Sequence, residues 1–153
     1  MNIIPRFFLG PFIGTLLLAA SCQSSNENNL NCDDRLVMFH MAVKSKYFKA
    51  SYAELRPASN TIYIVDTAKQ ESLCKLVSES SIQIKYTDSF NADRTFIEQA
   101  ADKRFLISNP AFAKSGDTTC LSFLLHNFYS ELEFRFVKTD DRWKMVFENE
   151  KQW

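Results

Sequence analysis

The sequence has little glycine, no net charge and no motif of a known catalytic centre. Three of its 153 residues are glycine, and only Gly116 lies beyond residue 22, which leaves little room for a loop that cradles phosphate. The formal net charge is +0, so charge gives no reason to expect a nucleic-acid partner. No zinc-protease, nucleophile-elbow, P-loop, dinucleotide-binding or C-x-x-C pattern occurs. We therefore expect no cofactor, no metal and no nucleic acid, and an enzyme is disfavoured without being excluded.

A long apolar run is also missing. Residues 7–20 (FFLGPFIGTLLLAA) carry no charge, but a helix of this length covers roughly 21 Å, against about 30 Å for a bilayer core. Arg6 precedes the run, and the small residues Ala19, Ala20 and Ser21 end it. A basic start, a short apolar centre and a small-residue end are typical of a secretory signal peptide.

The residues before Cys22 resemble the lipobox of bacterial lipoproteins. This resemblance implies that residues 1–21 are a signal peptide and that Cys22 becomes the first residue, carrying a diacylglycerol and an acylated (for example palmitoylated) amine. Such chains give stable membrane anchoring. By the same analogy, Gln23 in place of aspartate favours the outer membrane of the cell envelope over the inner. Residues 22–31 are then the lipidated cysteine and a polar, flexible tether.

We expect residues 32–153 to form a single globular domain. Apolar residues make up 46% of the chain, and its 14 phenylalanines are ample for one core. If Cys22 is lipidated, Cys32, Cys74 and Cys120 remain, which allows at most one bridge within the chain. The sequence does not choose among the three pairings, and buried thiols are an equal alternative.

Periodicity predicts the elements of the first half of this domain. Apolar spacing predicts a helix over 32–55, with a break near Ser45 or Ala50. Lysines 44, 46 and 49 on this helix are interpreted as a solvated face. Further along, the patterns predict a strand at 61–67, a short helix over 68–80, a strand at 81–87 and a helix over 91–105. Whether the two strands are parallel or antiparallel is left open.

The C-terminal region predicts antiparallel strands. Gly116 suits a turn between two of them. Two runs then alternate around the turn TDDR, and they predict a hairpin with one buried face (Phe134, Phe136, Trp143, Phe147) and one solvated face (Glu133, Arg135, Lys144). The ending FVKTDDRWKMVFE is similar to the C-terminal hairpins of nuclear-transport-factor-2-like and cystatin-like domains, which wrap a curved sheet around a helix. The fold class is α+β: an N-terminal helix, a strand-helix-strand middle, and a C-terminal antiparallel meander packed on helices.

The function expected from these patterns is a lipid-anchored binding or protein-interaction domain of the cell envelope. Its partners would be the membrane, through the lipid on Cys22, and an envelope protein. The alternative is an envelope enzyme with an acid–base site near His40 or His126. A third hypothesis is an assembly accessory that binds an envelope protein through an open sheet edge. A concave apolar pocket would favour binding, whereas a histidine in a pocket beside a carboxylate would favour catalysis.

Overall fold

The computed structural model describes residues 30–74, 82–87 and 103–153, and the statements below concern those residues. In chain order the elements are α1 (Cys32–Val43), α2 (Lys46–Leu55), β1 (Thr61–Val65), β2 (Gln83–Thr87), β3 (Phe105–Ser108), β4 (Ala111–Ser115), β5 (Thr118–Leu125), β6 (Ser130–Thr139) and β7 (Arg142–Gln152). The described part is thus mostly β, with two helices at its N-terminal side.

The predicted helical segment is confirmed, with its break at Ser45. The Asn31 side chain caps α1 by accepting a hydrogen bond from the backbone N–H of Asp34 at 2.7 Å. The Ser45 hydroxyl oxygen does the same for α2, accepting from the N–H of Phe48 at 3.2 Å. The helix ends at Arg56, which adopts a left-handed conformation (φ 49°) just before the proline that cannot continue it.

The first three strands are parallel, which settles the question that the sequence left open. The order is β2-β1-β3, and Ile62 lies in register with Ile84 on one side and Phe105 on the other. Residues on alternate positions of β2 face the helices, as the alternation predicted.

The two middle helices predicted from sequence are not shown. Residues 68–74 form turns, because Lys69 (φ 53°) and Cys74 (φ 55°) take left-handed backbone angles that a right-handed helix does not allow. Residues 75–80 of that prediction lie outside the described residues. The helix predicted over 91–105 is wrong at its end, because Phe105 begins β3, and residues 91–102 lie outside the described part.

The second half is an antiparallel meander, as expected. The sheet continues β3-β5-β6-β7, and β4 pairs with β5 off this path. Gly116 takes φ +59° in the turn between β4 and β5. Asp140 and Asp141 both have positive φ between the paired residues Thr139 and Arg142, which is the geometry of a two-residue type I′ turn.

The C-terminal hairpin is confirmed, but its predicted faces are wrong at two residues: Phe147 is exposed, and Glu133, expected on the solvated face, is only 8% exposed. Phe134 and Phe136 are buried as predicted, whereas Trp143 is half-buried.

Pairing between β6 and β7 shifts between Arg135 and Phe136: Phe136 lies opposite Met145, whereas Arg135 lies opposite Phe147. Val146 is therefore an extra residue, a β-bulge that reverses the side on which later side chains of β7 lie. Phe147 is 39% exposed rather than buried, and its ring lies 4.7 Å from the Arg135 guanidinium.

The core is built from aromatic side chains between the helices and one sheet face. The ring of Phe48 lies 5.0 Å from that of Phe105, and Phe123 contacts both Phe39 (5.9 Å) and Phe134 (5.7 Å). All five are buried. Burial of each such side chain stabilises the fold by about 1.5–3 kcal/mol.

A disulfide ties α1 to the loop that follows β1. Cys32 and Cys74 are bonded, with their Cα atoms 5.6 Å apart, which selects one of the three pairings that the sequence allowed. Cys120 is also disulfide-bonded, whereas a lipidated Cys22 would leave three thiols and allow only one bridge. The bridge closes a sequence separation of 42 residues, so it constrains the unfolded chain as well as the loop.

Candidate functional site

A concave apolar pocket lies between the two helices and β2. Its volume is about 200 Å³. Apolar and aromatic side chains make up most of its wall, together with one histidine and two lysines. The described lining residues are His40, Val43, Lys44, Phe48, Lys49, Tyr52, Ala53, Ile82 and Ile84.

One wall of the pocket comes from the region of β2, which ends the strand order of the described sheet. Ile82, directly before β2, and Ile84, within it, occupy alternate positions and line the pocket. Residues of α1 and α2, which are separated by the break at Ser45, form the opposite wall.

Tyr52 is a partly buried residue of the pocket wall that packs against the core. Its ring lies 5.0 Å from the ring of Phe105 and 6.3 Å from that of Phe48. Its hydroxyl donates a hydrogen bond to the carbonyl oxygen of Ser59 at 3.2 Å. Burial raises the pKa of the Tyr52 phenol, so this group stays neutral and acts as a fixed, amphipathic wall.

The charged groups of the pocket are basic. Lys44 and Lys49 are exposed residues at its border, and no aspartate or glutamate belongs to its described lining. An anion at the border therefore meets favourable charge, while an apolar group fits the interior. Sequence analysis assigned three lysines to a solvated helix face, and two of them, Lys44 and Lys49, lie at the border of the pocket.

The two candidate histidines occupy different places. His40 lies in the pocket wall, on α1. His126 follows β5 directly, and its backbone N–H donates to the carbonyl oxygen of Leu106 at 3.0 Å. Burial lowers the pKa of His126, so its imidazole is neutral at neutral pH. Only His40 is among the described residues that line the pocket.

The proposed lipidation site lies outside the described residues. Cys22 belongs to residues 1–29, so the anchor stays a prediction from sequence. Within the described ranges, neither helix has the length and apolar character needed to cross a membrane. The same ranges contain no group of three or more His, Cys, Asp or Glu side chains placed to hold a metal ion.

Comparison with protein families, curated proteins and solved structures finds no match. The lipoprotein and hairpin resemblances therefore stay predictions, and function must be inferred from the geometry of the chain itself.

Proposed function

We propose that this chain is a lipid-anchored envelope protein whose domain binds a small amphiphile with an acidic head group. The observation that supports binding is the apolar pocket between α1, α2 and β2, bordered by basic side chains. An acyl or other apolar chain would lie against Ile82 and Ile84. Its anionic end would lie near Lys44 and Lys49, where the charge is complementary.

The size of the pocket sets the scale of the ligand. A volume of about 200 Å³ is below the roughly 300–1,000 Å³ of sites for drug-sized molecules. A chain of about six carbons is therefore a suitable probe. At about 0.8 kcal/mol per buried methylene, such a chain supplies roughly 4–5 kcal/mol, which corresponds to a Kd of about 0.1–1 mM.

The test is a calorimetric titration of the full chain, held in phosphatidylcholine nanodiscs, with hexanoate and with hexylamine. These probes share a chain length and differ in head-group charge. We expect hexanoate to bind more tightly, and Lys49→Gln to remove most of the difference. Equal affinity for the two probes would contradict the role assigned to the lysines.

A matched pair of variants on α2 tests the location. Ala53 and Ala50 are both exposed helical residues, but only Ala53 is among the described lining residues. Ala53→Trp should fill the pocket and abolish hexanoate binding, whereas Ala50→Trp should leave it unchanged. Loss of binding in both variants, or in neither, would place the ligand elsewhere.

Anchoring at Cys22 needs a separate experiment. The Sγ atom of Cys22 can carry a thioether-linked lipid or enter a disulfide, but not both. Mass spectrometry of the N-terminal peptide from membrane fractions, without and with reduction, distinguishes the two products. A Cys22→Ser protein that is processed and retained in the membrane like the wild type would refute the anchor.

The alternative of an acid–base enzyme is favoured by one observation, the place of His40 in the pocket wall. A histidine there lies close enough to a bound amphiphile to exchange a proton with it. His40→Gln distinguishes the hypotheses, because a binding domain retains hexanoate affinity within a few-fold. Chemical conversion of a bound amphiphile that disappears in His40→Gln would favour the enzyme.

A further inference from the structure

The carboxyl ends of the three parallel strands meet at one edge of the sheet. Asp66 follows β1 directly, Thr87 ends β2, and Asn109 follows β3. The N–H of Asp66 donates to the carbonyl oxygen of Thr87 at 3.1 Å, and the N–H of Asn109 donates to that of Val65 at 3.1 Å. β1 lies between its two parallel neighbours in the order β2-β1-β3. In open parallel sheets, ligands bind outside the carboxyl ends of the strands.

A crevice of about 360 Å³ lies at this edge. Its described lining shares no residue with that of the apolar pocket. Its described lining residues are Asp66, Lys69, Glu71, Tyr86 and Thr87. Asp66 is only 7% exposed. Its Oδ1 accepts a hydrogen bond from the N–H of Gln70 at 3.1 Å, whereas its Oδ2 is buried without a hydrogen-bond partner.

An unpartnered carboxylate oxygen in a buried position is unfavourable and needs an explanation. Lys69 lies on the same loop, but no ion pair joins it to Asp66 in the described part of the chain. The turn at residues 66–70 uses Oδ1 alone, so turn formation does not account for Oδ2. A ligand that donates a hydrogen bond to Oδ2 would remove this penalty.

The loop that forms one wall is held by side chains from several elements. The Ser72 hydroxyl donates to Oδ1 of Asn109 at 2.7 Å, and the Asn109 amide donates to the carbonyl oxygen of Gln70 at 3.3 Å. The N–H of Leu73 donates to the Tyr86 hydroxyl oxygen at 3.1 Å.

The same loop is also fastened to α1. Arg35 donates from Nη1 to the carbonyl oxygen of Ser72 at 3.2 Å, and the Cys32–Cys74 disulfide lies two residues further along. A wall fixed before binding loses little conformational entropy when a ligand arrives.

The described lining of the crevice is negative on balance. Within it, Asp66 and Glu71 carry two carboxylates against the single ammonium of Lys69. Burial raises the pKa of the Tyr86 phenol, and the nearby charges of Glu71 and Asp66 raise it further. A cation is therefore stabilised here, and the Asp66 oxygen needs a hydrogen-bond donor.

We propose that this crevice binds a small molecule through a primary ammonium group, which donates a hydrogen bond to Oδ2 of Asp66 and lies near the Glu71 carboxylate. The ammonium ion supplies both the charge and the N–H donors that the site lacks. This proposal does not rest on the apolar pocket or on the lipid anchor.

The experiment is a titration of the isotopically labelled full chain with ethanolamine in phosphatidylcholine nanodiscs, followed by NMR. The backbone N–H signals of Gln70 and Asn109 should shift and saturate. Choline carries the same charge but has no N–H donor, so it should not produce saturable shifts at these residues. Choline binding as tight as that of ethanolamine would overturn the proposal.

Variants test the assignment of the residues. Asp66→Asn keeps the shape and the acceptor for Gln70, and it should weaken ethanolamine binding by about tenfold or more. Asp117→Asn, in the turn between β4 and β5, removes the same charge elsewhere and should have no effect. If Asp66→Asn does not fold, Glu71→Gln decides, because Glu71 is exposed and its loss should still weaken binding several-fold. Unchanged affinity in the folded variants would overturn the proposal.

Discussion

The most informative stability experiment compares two phenylalanines of the C-terminal hairpin, Phe134 and Phe147. An uninterrupted alternation would bury both, whereas the bulge at Val146 separates them. Phe134 is 0% exposed and packs on the rings of Phe123 and Phe136, at 5.7 Å and 6.5 Å. Phe147 is 39% exposed and has the Arg135 guanidinium over its ring.

The structure gives different magnitudes for the two truncations. Phe134→Ala removes a fully buried ring and leaves a cavity, which costs about 3–5 kcal/mol. Phe147→Ala loses only part of the roughly 1.5–3 kcal/mol of full burial, together with a cation–π contact of about 0.5–1 kcal/mol, so we expect a loss of roughly 1–2 kcal/mol. Set against the roughly 5–15 kcal/mol of a whole domain, the first variant is close to unfolding and the second is not.

Urea denaturation measures both changes. With a slope of about 1–3 kcal/mol/M for a small domain, Phe134→Ala should lower the midpoint by roughly 1–5 M, and Phe147→Ala by about 40% as much at the same slope. Arg135→Ala removes the cation over Phe147 together with the 2.9 Å ion pair to Glu133, and it should lower the free energy of unfolding by about 1–2 kcal/mol. Equal losses in the two phenylalanine variants would show that β7 pairs without the bulge, and the face assignment would then be wrong.

Three further predictions follow from single contacts. Replacing both Cys32 and Cys74 by serine should lower the free energy of unfolding by about 2–4 kcal/mol in urea melts, and a smaller loss would mean that the reduced chain is already constrained. Because burial lowers the pKa of His126, the unfolded chain binds this proton more readily; stability should therefore fall as pH drops below about 6.5, and His126→Gln should flatten that part of the thermal-melting profile. Asp141→Gly should stabilise the domain by about 0.5–1 kcal/mol because φ is 59° there, whereas Asp117→Gly, at a turn position without positive φ, should not.

Much of the local structure could be predicted from sequence because it depends on nearest neighbours. The end of the first helix, its restart at Ser45 and the turn at Gly116 each follow from one residue type in one backbone conformation. The C-terminal hairpin follows from the apolar–polar alternation, with a period of two residues, along β6 and β7. These signals do not depend on what lies across the core.

The bulge could not be predicted from the alternation itself. Trp143, Met145 and Phe147 keep a perfect period of two, yet pairing with Arg135 requires one extra residue at Val146. The register shift places Glu148 opposite Phe134 and Glu150 opposite Leu132. An apolar–polar alternation with a period of two residues does not reveal a change in register, because register depends on the partner strand and on the twist of the hairpin.

The pocket could not be predicted because its walls come from distant segments. His40 and Lys49 lie on helices, whereas Ile82 and Ile84 lie on a strand whose neighbour depends on the sheet order. The sequence left the parallel or antiparallel relation of that strand open. Without that relation, no helical face could be placed over it.

The pocket and the crevice both involve β2 and α1, but different contacts hold their walls in place. Ile84 of β2 and Ile82 directly before it line the pocket, and Tyr86 and Thr87 at the carboxyl end of β2 line the crevice. Along α1, His40 and Cys32 are eight residues apart, which is about 12 Å on a helix.

The disulfide at Cys32 fixes only the crevice loop, whereas the pocket wall is fixed by packing of Phe48 and Tyr52 on Phe105. The variant in which both Cys32 and Cys74 are replaced by serine should therefore lose ethanolamine affinity and keep hexanoate affinity, provided that it is compared below its unfolding transition. Parallel loss of both would mean that α1 transmits the change between the sites. Binding at the pocket and binding at the crevice would then be coupled rather than independent.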